Sequence, residues 1–426
     1  MSSKKYIIII GEEYWFDVKY EHKMKKKIFE ETFEKSKHLL KTLRNNDSKY
    51  EYKILNGPRN LVKNIEEIGY DNIRAIFFFH DVFSDSILNN MTIREIKDYL
   101  RNIEKKHNIF MYPGIDNTLL FASKKYYDIL SKKMPHTILP KSEVLHHKDY
   151  NGYKDEKVIL KNLYKISKDM LKEFEKIIIK KGFSYEGKQV KVITKELASD
   201  YGDFASVTRR LNLKKFWGIK SNAIDMDVRM DRYYIIQGYN PVVTSEFNEF
   251  RVFFINGKAT YVTWKDQFHN VCTNDIGKNM EDEVVISNKD SKMVEYKYYD
   301  EKGKEMDIAK PEIKKEINKN LLIEILRFAK KTYAEFLPLF WKYDDKPVLL
   351  RLDISYATEP QFLDKYAIDI EGFKSKVRLY INEIEIDPTN YFYNNLLCKN
   401  NKDINNKYLQ ELFGNVINRY ITRNIK

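Results

Sequence analysis

Cysteine is scarce in this chain. Its 426 residues include only Cys272 and Cys398, too few for a disulfide framework or a four-ligand zinc site, and this usage points to a reducing, intracellular setting. Long apolar runs are missing as well. No stretch approaches the ~20 residues that cross a bilayer, and Tyr6–Ile10 is too short to be the core of a signal peptide. A soluble, cytoplasmic protein without a membrane partner is expected. The sequence has no internal repeat and no low-complexity block. It also lacks the Walker spacing Gly-x4-Gly-Lys-Ser/Thr, and it shows no Ser-His-Asp or Cys-His set of the kind used in nucleophilic catalysis.

The composition is that of a folded protein. Hydrophobic residues make up 43% and aromatics 14%, which excludes a disordered chain, and the length allows two or three domains. The 75 basic residues outnumber the 62 acidic ones by 13, so an anionic partner is expected: nucleotide phosphates, an acidic peptide or nucleic acid. The basic residues are spread along the chain instead of gathered in a tail, which makes nucleic acid the weakest of the three.

Residues 1–112 alternate apolar strands (Lys5–Ile10, Tyr50–Leu55, Ile73–Phe79) with helical patterns, one opened by the capping box Thr92-Ile-Arg-Glu95, and so predict a small α/β domain. From Tyr112-Pro113 the texture changes. A short helix over Phe121–Leu130 precedes a connector, Met134–Pro140, fixed by two prolines. An amphipathic helix follows, with Ile159, Leu163, Ile166, Met170 and Phe174 on one face. It leads into a strand, Lys176–Lys180, and a loop containing Gly182, Ser184 and Gly187. A lysine at a strand end beside such a loop can set its ammonium and the loop amides on phosphates; an ordinary hairpin turn fits the same residues. Arg209-Arg210 and Lys214-Lys-Phe-Trp217 suit either a lid over phosphates or a nucleic-acid contact. Asn256-Gly257 turns a hairpin whose first strand carries Glu249 and Arg251 on one face. Residues 266–310 are polar and look like an insertion, and Glu312–Phe336 is a long amphipathic helix.

Two short strands organise the rest. In Leu349–Ser355, Arg351, Asp353 and Ser355 face away from Leu350, Leu352 and Ile354. In the later strand, Tyr380–Ile386, strict alternation places Glu383 and Glu385 on one face and Tyr380, Asn382, Ile384 and Ile386 on the other. Carboxylates two apart on a strand sit roughly 7 Å from each other and repel unless water or a cation separates them. If the strands are neighbours, Asp353, Glu383 and Glu385 make an oxygen-only cluster suited to Mg²⁺. A solvated polar face on an edge strand is the plainer alternative.

The order of these motifs, from about Pro113 to Pro388, resembles the ATP-grasp superfamily, in particular D-alanine–D-alanine ligase, glutathione synthetase and the ribosomal-protein glutamate ligases. The resemblance implies an α/β (α+β) fold: an N-terminal α/β domain over 1–112, a linker, first ATP-grasp subdomain and lid over 113–240, and a C-terminal subdomain with its insertion over 241–426. It also implies roles. Lys124 and Lys180 resemble the two phosphate-holding lysines, and the loop bearing Ser184 resembles the phosphate-covering loop. Gln237–Tyr239 resembles the adenine-reading hinge, and Glu249 the ribose carboxylate. Arg351-x-Asp353 with Glu383-x-Glu385 resembles the family's Arg-x-Asp and Glu-x-Asn, which bind two Mg²⁺ ions. Glu385 departs from the usual Asn, Gln237 from a common acid, and Lys181 from a common proline. The expected activity is an ATP- and Mg²⁺-dependent carboxylate–amine or peptide ligase that forms an acyl phosphate, with Arg351 or Arg251 stabilising the oxyanion and an acidic small molecule or peptide as substrate. A kinase of the inositol-phosphate kinase type is the first alternative. A non-catalytic nucleotide- or nucleic-acid-binding protein is the second.

Overall fold

A computed structural model of the chain describes residues 6–11, 42–43, 50–56, 61–78, 93–147, 153–182, 190–209, 232–244, 249–255, 257–265, 271–275, 292–294, 318–341, 347, 349–386, 414–415 and 417–418. Ser184, the basic segment from Arg210 to Trp217 and most of the 266–310 stretch lie outside them.

The near-continuous apolar runs Ile7–Ile10 and Ala75–Phe78 are the central strands of an N-terminal parallel sheet and are buried on both faces, whereas Glu51 and Lys53 on an outer strand are exposed. Strands β1 (Tyr6–Gly11), β2 (Glu51–Asn56), β3 (Ile73–Phe78) and β4 (Phe110–Tyr112) lie in the order β2-β1-β3-β4, all parallel. Helices α1 (Leu61–Ile68) and α2 (Ile93–His107) contribute Leu61, Ile65, Ile96, Leu100 and Ile103 to its core. The single helix expected over 121–130 is two helices, α3 (Ile115–Ala122) and α4 (Tyr126–Lys133), broken at Lys124, whose φ is 59°.

The second sheet is antiparallel, in the order β5-β8-β6-β7, from β5 (Glu143–His147), β6 (Lys176–Lys181), β7 (Val190–Thr194) and β8 (Arg232–Gly238). It packs on α5 (Tyr153–Met170) and α6 (Tyr201–Arg209) through Leu163, Phe174, Ile177, Ile179 and Phe204. Sequence periodicity missed β5 and β7, whose inner and outer residues are too mixed to stand out.

The third sheet holds the two strands singled out in the sequence. β9 (Glu249–Ile255), β10 (Lys258–Lys265), β11 (Val271–Asp275), β12 (Lys292–Val294), β13 (Leu349–Ala357) and β14 (Arg378–Glu385) lie in the order β12-β11-β10-β9-β13-β14. The 266–310 stretch therefore supplies two strands to this sheet. One face packs on α7 (Lys319–Phe340) through Leu322, Ile325, Ala329 and Phe336 against Val252, Phe254, Leu350, Leu352 and Ile354. Asn318 caps α7, its side chain accepting from the amides of Asn320 and Leu321 at 2.9 and 3.1 Å. The other face carries the polar side chains. Among the described residues no helix is long and apolar enough to cross a membrane.

Candidate active site

β13 lies between β9 and β14, both antiparallel to it, with Asp353 opposite Arg251 on one side and Glu383 on the other. Period-two alternation then stacks Glu249 and Arg251, Arg351 and Asp353, and Glu383 and Glu385 on one sheet face. The later strand departs from strict alternation. Asp353 pairs with Glu383 but Ile354 pairs with Ile381, so Asn382 is an extra residue, a β-bulge. The bulge turns Asn382 to the same side as Glu383, whereas regular alternation would separate them. Tyr380, opposite Ser355, is likewise moved off the face expected from its spacing.

The two lysines come from the other elements. Lys124 sits in the left-handed turn between α3 and α4, and its Nζ bonds to Glu383 Oε1. Lys180, near the end of β6, donates to Asn382 Oδ1 at 2.5 Å. Gly182 lets these two segments meet, since a Cβ there would lie 2.5 Å from the carbonyl oxygen of Ser123.

The remaining contacts knit the cluster. Asn382 Nδ2 donates to Glu249 Oε2 at 2.6 Å, and Arg251 Nη2 lies 3.0 Å from Glu249 Oε1. Arg351 grips Asp353 with two hydrogen bonds, at 2.6 and 2.8 Å, and reaches to 4.0 Å from Glu385. Arg251 lies 3.7 Å from Asp353. Four cations thus face four carboxylates, and the site is close to neutral in itself.

Burial sets the protonation. Desolvation lowers the Lys124 ammonium and, with Lys124 nearby, brings Lys180 down to about 8. Burial opposes ionisation of Glu249, but Arg251, Arg351 and the Asn382 amide outweigh it and hold this carboxyl at about 2. Burial pushes Asp353 up against the pull of Arg351. Arg351 is desolvated too, yet Asp353, Glu385 and Glu249 raise it above its ordinary value, so it stays charged.

Eight of the eleven residues expected from sequence meet here: Lys124, Lys180, Glu249, Arg251, Arg351, Asp353, Glu383 and Glu385. Gln237 is buried, and its amide donates to Ser142 Oγ at 2.8 Å and Tyr127 OH at 3.4 Å. Tyr239 directly follows the end of β8, and its N–H donates to the Lys176 carbonyl at 2.9 Å. Ser184 lies outside the described residues. Asn382, the hub between Lys180 and Glu249, was missed, although the three-residue step from Ile381 to Ile384 signals the bulge in a strand that otherwise alternates by two.

Among the described residues no three carboxylate, histidine or cysteine side chains converge on one point. The carboxylates are instead drawn to cations. The donor set still fits Mg²⁺ and a polyphosphate: hard oxygens for the one and buried ammonium and guanidinium groups for the other.

No protein-family model and no curated protein sequence matches this chain. Solved structures do. D-cycloserine synthetase DcsG aligns over 96% of this chain and 99% of its own at a TM-score of 0.50 and 11% identity. D-alanyl-alanine synthetase A from Vibrio cholerae O1 biovar eltor aligns over 98% and 99% at 0.43 and 11%. ATP-grasp ligase PsnB, complexed with minimal precursor, aligns over 97% and 99% at 0.40 and 10%. The chain has the α+β ATP-grasp fold, in a divergent form.

Proposed function

We propose that this chain is an ATP-dependent ligase joining a carboxylate to an amine. The observation that supports it is the meeting of Lys124, Lys180, Glu249, Arg351, Asp353 and Glu383 on one polar face of the third sheet, within this fold. Lys124 and Lys180 would hold the nucleotide phosphates and Glu249 the ribose hydroxyls, with Gln237–Tyr239 as the adenine hinge. Asp353, Glu383 and Glu385 would hold Mg²⁺, which supplies charge neutralisation on the transferring phosphoryl group when bound.

Nucleotide and metal would exchange partners with the resting pairs. Phosphates would engage Lys124 and Lys180 in place of Glu383 and Asn382, and the oxygens so freed would be available to hold the cation. Each ligand would thereby remove the partner that the other must displace. A substrate carboxylate oxygen then attacks the γ-phosphorus and ADP departs, leaving an acyl phosphate. The amine attacks its carbonyl carbon, the guanidinium of Arg351 or Arg251 steadies the oxyanion, and phosphate leaves as the new C–N bond forms and the amine proton passes to solvent. The positive net charge of 13 favours an acidic small molecule or peptide as the acid.

Hydroxylamine tests this reading. With ATP, Mg²⁺ and a panel of acidic small molecules and glutamate-rich peptides, hydroxamate and ADP should form together, because an acyl phosphate reacts with any good nitrogen nucleophile. ADP formation from a phosphorylated polyol, with a stable phosphate gained by that product and no hydroxamate from any acid, would overturn the ligase reading in favour of a kinase.

A further inference from the structure

Asn382 and Glu383 are neighbours in sequence, yet each meets a lysine of the site, Lys180 and Lys124 respectively. Adjacent residues of a regular strand point to opposite faces, so the bulge alone makes this double engagement possible. Among the described residues β14 ends its sheet, and an edge strand has no further ladder to hold an irregularity in place. Something else must satisfy the outward backbone groups beside the bulge, since buried N–H and C=O groups are rarely left unpaired.

Two tyrosines do this. Tyr127 OH donates to the carbonyl of Ile381 at 2.9 Å, and Tyr126 OH accepts from the amide of Ile384 at 3.1 Å. The two contacts bracket Asn382 and Glu383 from either side. Both rings are fully buried, and Gln237 on β8 donates to Tyr127 OH at 3.4 Å. Tyr126 and Tyr127 open α4, directly after the turn that delivers Lys124. One five-residue segment, 123–127, therefore presents a site lysine and clamps the strand that presents its partner.

We propose that Tyr126 and Tyr127 are positioning residues, whose hydroxyls hold the β14 bulge in register and so aim Asn382 and Glu383 together into the candidate nucleotide site. The clamp is a feature of the strand itself, and its effect on ligands rests on the Mg²⁺–nucleotide reading above. In ordinary metal sites, loss of a hydrogen bond that orients a ligand costs about 10- to 100-fold in metal affinity, and the same range is expected here.

The test compares the wild type with Tyr126→Phe, Tyr127→Phe and the double variant in two measurements. In the first, amide hydrogen exchange on the ligand-free protein should show the Ile384 amide exchanging at least tenfold faster in Tyr126→Phe. In the second, the Mg²⁺ concentration giving half of the thermal shift with a non-hydrolysable ATP analogue should rise about 10- to 100-fold in the double variant. A merely structural role would lower the ligand-free melting temperature and leave that Mg²⁺ midpoint in place. Unchanged exchange at Ile384 overturns the clamp. Faster exchange with an unmoved Mg²⁺ midpoint overturns the positioning role. A wild type that shows no Mg²⁺-dependent shift fails the nucleotide reading instead, and the exchange measurement still decides the clamp. If the double variant does not fold, the single variants carry both measurements.

Discussion

Asp353 and Arg351 form a charge pair that is almost wholly shielded from water, with side chains 1% and 5% exposed. Removing one partner of such a pair strands the other, at a typical cost of 3–5 kcal/mol, while replacing both by apolar groups is often neutral. Asp353→Asn should therefore lose about 3 kcal/mol of stability in urea denaturation and reduce turnover on the order of a thousandfold. Arg351→Met/Asp353→Leu should recover most of that stability and remain inactive. Full stability of the single variant, or no recovery in the double, would show that the pair is exposed to water. Lys180 gives a pH dependence. Its pKa stands at about 8 instead of 10.5 because of burial and Lys124. In the ligand-free protein its charge is held well below pH 8 and lost as pH rises through about that value. A phosphate beside it restores the charge and raises the pKa. Nucleotide binding should accordingly take up close to one proton near pH 9, and affinity should fall as pH rises through about 8. Calorimetry in two buffers of different ionisation enthalpy measures the uptake. Zero uptake in the wild type, or the same uptake in Lys180→Met, would contradict the assignment.

At the scale of elements, the strands of the third sheet were legible because β13 carries the clean alternation of Leu350, Leu352 and Ile354 against Arg351, Asp353 and Ser355. β14 was only half legible. Strict alternation put Asn382 with the core residues, whereas the bulge puts Ile381 in the core and Asn382 beside Lys180. The helix expected over 121–130 concealed the turn at Lys124, since nothing local to Ser123-Lys-Lys125 marks a left-handed residue; the turn is held by tertiary contacts, with β6 passing close to Ser123. Gly182 is where that passage is tightest. Gly182→Ala would place a methyl 2.5 Å from the Ser123 carbonyl oxygen, backbone against side chain with no flexible end to yield. The variant should lose about 2 kcal/mol in denaturant unfolding and bind an ATP analogue more weakly, because the turn bearing Lys124 must move. Wild-type stability together with wild-type affinity would mean that the two segments are not in contact.

The described residues form three sheets, and the candidate site draws from the second and third, with Lys124 reaching it from the turn between α3 and α4. The amino-acid order revealed which residues carry charge on which strand, but not that β9 lies beside β13, because the 93 residues 256–348 separate the end of β9 from the start of β13. The net charge of 13 lies outside these site residues, since their four cations are matched by four carboxylates. On the proposed assignment, Lys124, which would bind phosphate, rests on Glu383, which would bind metal, and Lys180 rests on the adjacent Asn382, so metal and nucleotide would enter together. A thermal-shift titration measures this directly, because a ligand that binds only the folded state stabilises it by RT ln(1 + [L]/Kd). A non-hydrolysable ATP analogue should raise the melting temperature slightly without Mg²⁺, Mg²⁺ alone should do little, and the two together should raise it by clearly more than the sum. Equal shifts with and without the metal would rule out joint entry and leave Asp353, Glu383 and Glu385 as carboxylates that serve only to neutralise the buried cations.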